Sequence, residues 1–360
     1  MVPNLITLCT EVQLKIYSFA CMDDGRTGCV LSAVSKLVRD LSAEYRYQSV
    51  AVAGSVSLCA FLRELKNLPP ELRRVRHLFI SDYSLFQPSR ASPRYRAVHP
   101  HTDNSLHELL QHVMHLSGFE SLPDPENIGQ IIADILEIVS KTLITLTLVS
   151  FTPYVNENTQ NDISLLDHSF TSLVELTVRG PHILPISNSF APSLQRLHLS
   201  SDALPQEFGR TAALNHPSLT HVRVSRLMDI QRHLWSILEL SLAMSLRPRS
   251  LNEVDIVTMQ HKKRRFLLVE PGVYLSHGRG RRGGLLEKRY PQGYDGLLKA
   301  FQILKLRSRG LFLLQDHPGY GQGLERHYAR EEWFSRLEGR QGCWRIVTRD
   351  GMTLEETAAY

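Results

Sequence analysis

Apolar positions in the first fifty residues recur at helical spacing. Val12, Ile16, Phe19 and Ala20 fall on one face, with Leu14 and Tyr17 widening it, and the spacing predicts a helix from Thr10 that stops at Asp23-Asp24-Gly25. Thr10 followed by Gln13 has the form of a capping box. From Thr27 the set Val30, Leu31, Val34, Leu37, Val38 and Leu41 predicts a helix pair running to about Ser42. Residues 8–50 therefore read as a compact module of three short helices.

A further helix is expected over 55–67, ended by Pro69-Pro70, then a short strand at Val75–Ile80. Pro88, Pro93 and Pro100 stand among Arg, Ser and His, so 84–105 reads as an exposed insertion. Helical stretches at 105–116 and 126–140 bracket Pro123 and Pro125.

Beyond them the period changes and a unit repeats: Ser or Thr, then Leu-x-x-aliphatic-x-aliphatic. It occurs with Leu143, Leu146 and Leu148; Leu173, Leu176 and Val178; Leu194, Leu197 and Leu199; Leu219, Val222 and Val224; and Leu251, Val254 and Ile256. Val75, Leu78 and Ile80 form a degenerate copy. The starts at 143, 173, 194, 219 and 251 stand 30, 21, 25 and 32 residues apart. That is around and slightly beyond the roughly 20–29 of leucine-rich repeats. Each unit is a strand too small to bury its apolar side alone, so neighbours must stack. A helix at 229–246, with Leu234, Ile237, Leu238 and Leu242, fills the last long interval.

The pattern ends at 258, where His261 to Arg265 opens a basic stretch that Gly278 to Gly284 continues. A helix at 327–338 carries Trp333, and Gly342-Cys343-Trp344 follows. Two indoles near the end predict a docked segment, because each contributes a large contact area. Three regions result: a helical module over 1–50, a repeat array over 51–258 with the inserted loop 84–105, and a C-terminal basic loop and capping segment over 259–360.

Composition narrows the class. Apolar residues make up 42% and charged residues 21%, which places the chain among folded globular proteins. The formal charge of +5 is too small to name a nucleic acid partner. The chain has no run of apolar residues long enough for a membrane span and no secretory leader at Met1-Val2-Pro3-Asn4, so a cytoplasmic or nuclear place is expected. Five scattered cysteines without a Cys-x-x-Cys pair fit a reducing compartment.

Thr10-Glu11-Val12, Ile16-Tyr17 and the later Leu31-x-x-Val34-Ser35-Lys36 resemble the F-box motif in order and spacing. Leu8-Cys9 stands where that motif usually opens with Leu-Pro. With the repeats and the segment Arg330-Glu331-Glu332-Trp333, most of the chain resembles the F-box and leucine-rich-repeat proteins abundant in mushroom-forming fungi. The resemblance implies an α/β fold: an F-box-like helical module followed by an irregular leucine-rich-repeat solenoid with a parallel sheet. It also implies a non-catalytic substrate-recognition subunit of a cullin-type ubiquitin ligase. Leu8, Val12, Ile16, Tyr17, Leu31, Val34 and Val38 would then dock on a Skp-type adaptor, while the repeats bind a target protein. A repeat scaffold without ligase association, or a basic-loop protein on RNA or chromatin, are the competing readings.

For the target, strand alternation puts the residues beside the inward aliphatics on the concave surface. The row comprises a basic centre of Arg196, His198, His221 and Arg223, flanked by acidic Glu175, Glu253 and Asp255, and it would select a partner of complementary charge. No catalytic residue, cofactor or metal is expected. Gly278-x-Gly280-x-x-Gly283 lacks the sustained helix that a dinucleotide fingerprint needs, since Pro291 follows closely. His107 and His112 stand five apart, whereas the zinc-protease helix needs four.

Overall fold

The computed structural model describes residues 8–82, 128–150, 168–180, 190–200, 218–227, 266–271 and 322–344. Shorter pieces are described at 155–156, 161–162, 274–277, 286–289, 299, 311–313, 346–347 and 353–354, with isolated positions at 208, 212, 215, 216, 237, 239 and 240. The expected loop 84–105, the helix 105–116 and the repeat copy at Leu251, Val254 and Ile256 lie outside the described residues.

Three helices open the chain: α1 (Thr10–Ala20), α2 (Arg26–Val34) and α3 (Lys36–Ser42). The capping box is not formed. Cys9 is the N-cap residue and offers no side-chain cap, so Thr10 already lies inside the helix, and Gln13 instead donates from Nε2 to the Leu8 carbonyl at 2.7 Å. Two other polar side chains do the punctuation. Asp23 accepts from the Thr27 N–H at 2.9 Å at the start of α2, and Ser35 accepts from the Val38 N–H at 3.2 Å, splitting the helix pair. Gly28 is required by proximity: a Cβ there would stand 2.3 Å from the Arg46 carbonyl oxygen, so α2 can lie against that backbone only with glycine.

The rest is α/β. Eight strands form one sheet in chain order, each hydrogen-bonded in parallel to the next. They are β1 (Ser49–Ala53), β2 (His77–Ser81), β3 (Thr145–Val149), β4 (Glu175–Arg179), β5 (Arg196–Ser200), β6 (His221–Leu227), β7 (Phe266–Pro271) and β8 (Leu311–Leu313). On one face the register aligns Val50, Leu78, Leu146, Leu176, Leu197, Val222 and Leu267 in a single row, and Val52, Ile80, Leu148, Val178, Leu199, Val224 and Val269 in a second. Both rows belong to one buried core, closed by α4 (Ser55–Asn67) and α5 (Ile128–Val139) through Leu58, Leu65, Ile132, Ile135 and Leu136.

In three units the opening Ser or Thr ties the unit to the one before. Thr142 Oγ1 donates to the Val75 carbonyl at 2.9 Å, Ser172 Oγ to Lys141 at 3.1 Å, and Ser193 Oγ to Thr171 at 2.9 Å. These bonds satisfy carbonyls that the ladder alone leaves open.

Two expected boundaries move. The sheet starts at Ser49, inside the region assigned to the helical module, and it continues through β7 and β8 beyond 258. The place beside β6 that Val254 and Ile256 were expected to take is filled by Leu267 and Val269, from the four consecutive apolar residues Phe266 to Val269. No helix among the described residues is long and apolar enough to cross a membrane.

Candidate functional site

Two surfaces hold the residues singled out in the sequence. The first is the helical module. Val12, Ile16 and Phe19 run along α1 at helical spacing and stay exposed, as do Val30 and Val34 on α2 and Leu37 on α3. These six are the large apolar side chains left exposed among the described residues, and all lie on α1 to α3. Of the seven expected docking residues, Val12, Ile16 and Val34 are exposed, and Leu8 and Leu31 are half-buried. Tyr17 and Val38 are buried and leave the set. Tyr17 lies about 100° around α1 from Ile16, on the stripe with Gln13 that is buried. Phe19, Val30 and Leu37 join the exposed set. Their helical periodicity was visible, but periodicity does not say which stripe the rest of the chain covers.

The second surface is the face of the sheet opposite the aliphatic rows. It was expected to be open, and it is covered. Helix α6 (Gln322–Leu337) and the short 3-10 turn Gly342–Trp344 lie across it, and this covering segment, the strap, is held by polar and aromatic contacts. Glu175, His198, His221 and Arg223 are consequently buried and Arg196 is half-buried, while Glu253 and Asp255 fall outside the described residues.

Glu175 is the hub. Its Oε1 accepts the Trp344 indole N–H at 2.9 Å, and its Oε2 lies 3.0 Å from Arg336 Nη2 and 3.7 Å from Arg196 Nη1. The Trp344 ring meets the His198 and His221 rings edge-on, at centroid distances of 6.3 and 5.9 Å. Arg223 donates to the Cys343 carbonyl and, from Nη2, to Glu270 Oε2 at 2.7 Å. Burial works against the Arg223 charge, but Glu270 and Glu332 outweigh it and hold the guanidinium pKa above its ordinary value. Arg179 pairs with Glu332. At the other end of the strap Trp333 packs on Phe79, with centroids 5.8 Å apart, and Arg330 reaches Asp24 between α1 and α2 at 2.7 Å.

Gly342 makes the final turn possible. Its φ is +56°, and a Cβ there would stand 2.6 Å from the Glu332 carbonyl oxygen.

Ligand atoms of His198, Glu332 and Cys343 lie within 4.8 Å of one another. Two guanidinium groups already stand beside them, Arg179 on Glu332 and Arg223 on the Cys343 carbonyl. Burial, followed by the charges of Glu332 and Glu175, pushes the Cys343 thiol well above its ordinary range. A neutral thiol between two cations is a poor cage for a metal ion, so the trio acts as a contact between strap and sheet.

Comparison with protein-family models, with curated proteins and with solved structures finds no match.

Proposed function

We propose that this chain is a non-catalytic substrate receptor of a cullin-type ubiquitin ligase. In this reading α1 to α3 are an F-box-like module that docks on a Skp-type adaptor, and the sheet is an irregular leucine-rich-repeat solenoid that carries a target protein. The carrying observation is that, among the described residues, the exposed large apolar side chains all lie on α1 to α3. Exposed apolar side chains gathered on one small module mark a protein interface more often than chance scatter does. A module of roughly 40 residues buries too little of its own apolar surface to close on itself.

The helical spacing of Val12, Ile16 and Phe19 adds that the partner reads α1 along its length. The chain supplies recognition only: the adaptor and the other ligase subunits supply the chemistry, and a cytoplasmic or nuclear place goes with that role.

The test is adaptor capture by the full chain. Val12→Glu with Ile16→Glu keeps good helix formers on exposed positions, so the fold should persist while the co-purified adaptor disappears. Unchanged capture by the double variant, or no capture by the unaltered chain, refutes the docking assignment.

A further inference from the structure

The strap makes contacts of the kind found in a bound peptide. Its anchors are two tryptophans and three arginines, residue types enriched where binding energy concentrates in interfaces. Trp333 and Trp344 are buried against the sheet, Arg330 and Arg336 pair with Asp24 and Glu175, and Arg326 is buried. The sheet answers with side chains: Arg179 takes a carboxylate, Glu175 takes an indole N–H, and Arg223 takes a main-chain carbonyl.

The seat is also incompletely satisfied. Among the described residues Arg179 Nε, Arg223 Nε, Glu270 Oε1 and Trp333 Nε1 are buried without a hydrogen-bond partner. Folded interiors rarely leave such groups unpaired, and here four of them gather where strap and sheet meet. The aliphatic face shows the opposite character, a continuous apolar core with aligned rows.

The geometry points to a peptide-recognition site on this face, filled in cis by residues 326–344, that accepts a partner segment bearing a tryptophan and a nearby acidic side chain. The inference deepens the target-carrying half of the proposed function and rests on it. Adaptor docking belongs to α1 to α3 and is read by a separate capture, so the two can fail independently. A partner must displace a tethered competitor whose effective concentration is on the order of millimolar, so an unaltered chain takes free ligand weakly. Glu332 and Trp344 are the strap groups that the partner would replace, on Arg179 and Glu175 respectively.

The probe is a labelled synthetic peptide of this chain's own residues 322–344, followed by fluorescence anisotropy. The full chain carrying Glu332→Gln and Trp344→Ala should bind it at least about tenfold more tightly than the unaltered chain. Adding Glu175→Gln should remove that gain, and a peptide with alanine at its Trp344 position should fail on every chain. Hydrogen exchange on the unaltered chain supplies a second measurement: strap amides should exchange faster than those of β3 to β5, because opening the strap leaves the aliphatic core intact. The inference is overturned if the opened chain binds no peptide, if peptides with and without the tryptophan bind alike, or if the opened chain loses its cooperative unfolding transition. Strap amides exchanging no faster than β3 to β5 overturn it as well, since the strap would then be part of the fold itself.

Discussion

Replacing Ile16 and Tyr17, neighbours on α1, by glutamate should have opposite consequences. Ile16 is 37% exposed, whereas Tyr17 is 1% exposed and sits on the side of α1 turned toward the rest of the chain. Removing a large buried aromatic costs about 3–5 kcal/mol, and leaving a carboxylate in its place adds several more unless the group neutralises. Tyr17→Glu should therefore unfold the helical module and lower the urea midpoint of that part of the chain. Ile16→Glu exchanges a partly exposed apolar group for a good helix former, a change expected to stay within about 0.5–1 kcal/mol. Urea unfolding followed by circular dichroism gives the stability, and adaptor capture gives the docking. Ile16→Glu should keep the midpoint and lose the adaptor, while Tyr17→Glu loses both. If Ile16→Glu destabilises as much as Tyr17→Glu, the exposed stripe is core that the rest of the chain covers in solution, and the docking argument fails.

Leu197 lies between Leu176 and Val222 in the aliphatic row and is almost completely buried, so Leu197→Ala should cost roughly 2–5 kcal/mol in chemical unfolding; a cost below about 1 kcal/mol would contradict the stacked row. His77, half-buried beside Arg76 with Nδ1 3.0 Å from Thr145 Oγ1, has its pKa pushed down to about 4 by burial and then by the Arg76 charge. Because its folded pKa lies below the unfolded value near 6.5, its contribution is fully present above about pH 6.5 and is lost as pH falls toward 4. The loss should be on the order of 3 kcal/mol, and His77→Gln should flatten stability over that range; an unchanged slope would count against the assignment. Gly342→Ala should loosen the strap turn, seen as a red shift of tryptophan emission with little change in β3 to β5 exchange, and an unshifted spectrum would show that the turn tolerates a side chain.

Much of the sheet was legible because its rule is local. Leu146, Leu176, Leu197 and Val222 share one row since each follows an inward leucine by three positions and the side-chain period of a strand is two. The rule failed at the ends of the array, where other residues take the opening leucine's place. Tyr47 precedes Val50 and Val52 at the same offset and is buried in the same core, but it falls within 8–50, which read as one helical module. No leucine stands three before Leu267, and the basic run ahead of its strand read as a boundary or an insertion. Hydrogen bonding supplied what the pattern lacked, since the Phe266 N–H donates to the Thr220 carbonyl as earlier strand starts do to theirs.

The second face escaped the sequence for a different reason. Alternation correctly put Glu175, Arg196, His198, His221 and Arg223 side by side, and it also identified them as polar, but polarity reports only that a side chain needs partners. It does not distinguish water from another part of the same chain. The partners here, Glu332, Arg336, Cys343 and Trp344, lie more than a hundred residues away and carry no spacing linking them to the strands. The one available signal was chemical complementarity: a sheet face with arginine, histidine and a glutamate, and a distant segment with glutamates, arginines and two indoles. Each is a poor surface alone, since Trp333 and Trp344 would expose large apolar rings and Arg223 and Glu270 are placed to need burial together. The same complementarity that lets the segment cover the face in cis is what a second segment of like composition would meet there, and the contacts that hold the strap therefore also define the chemistry by which it can be replaced.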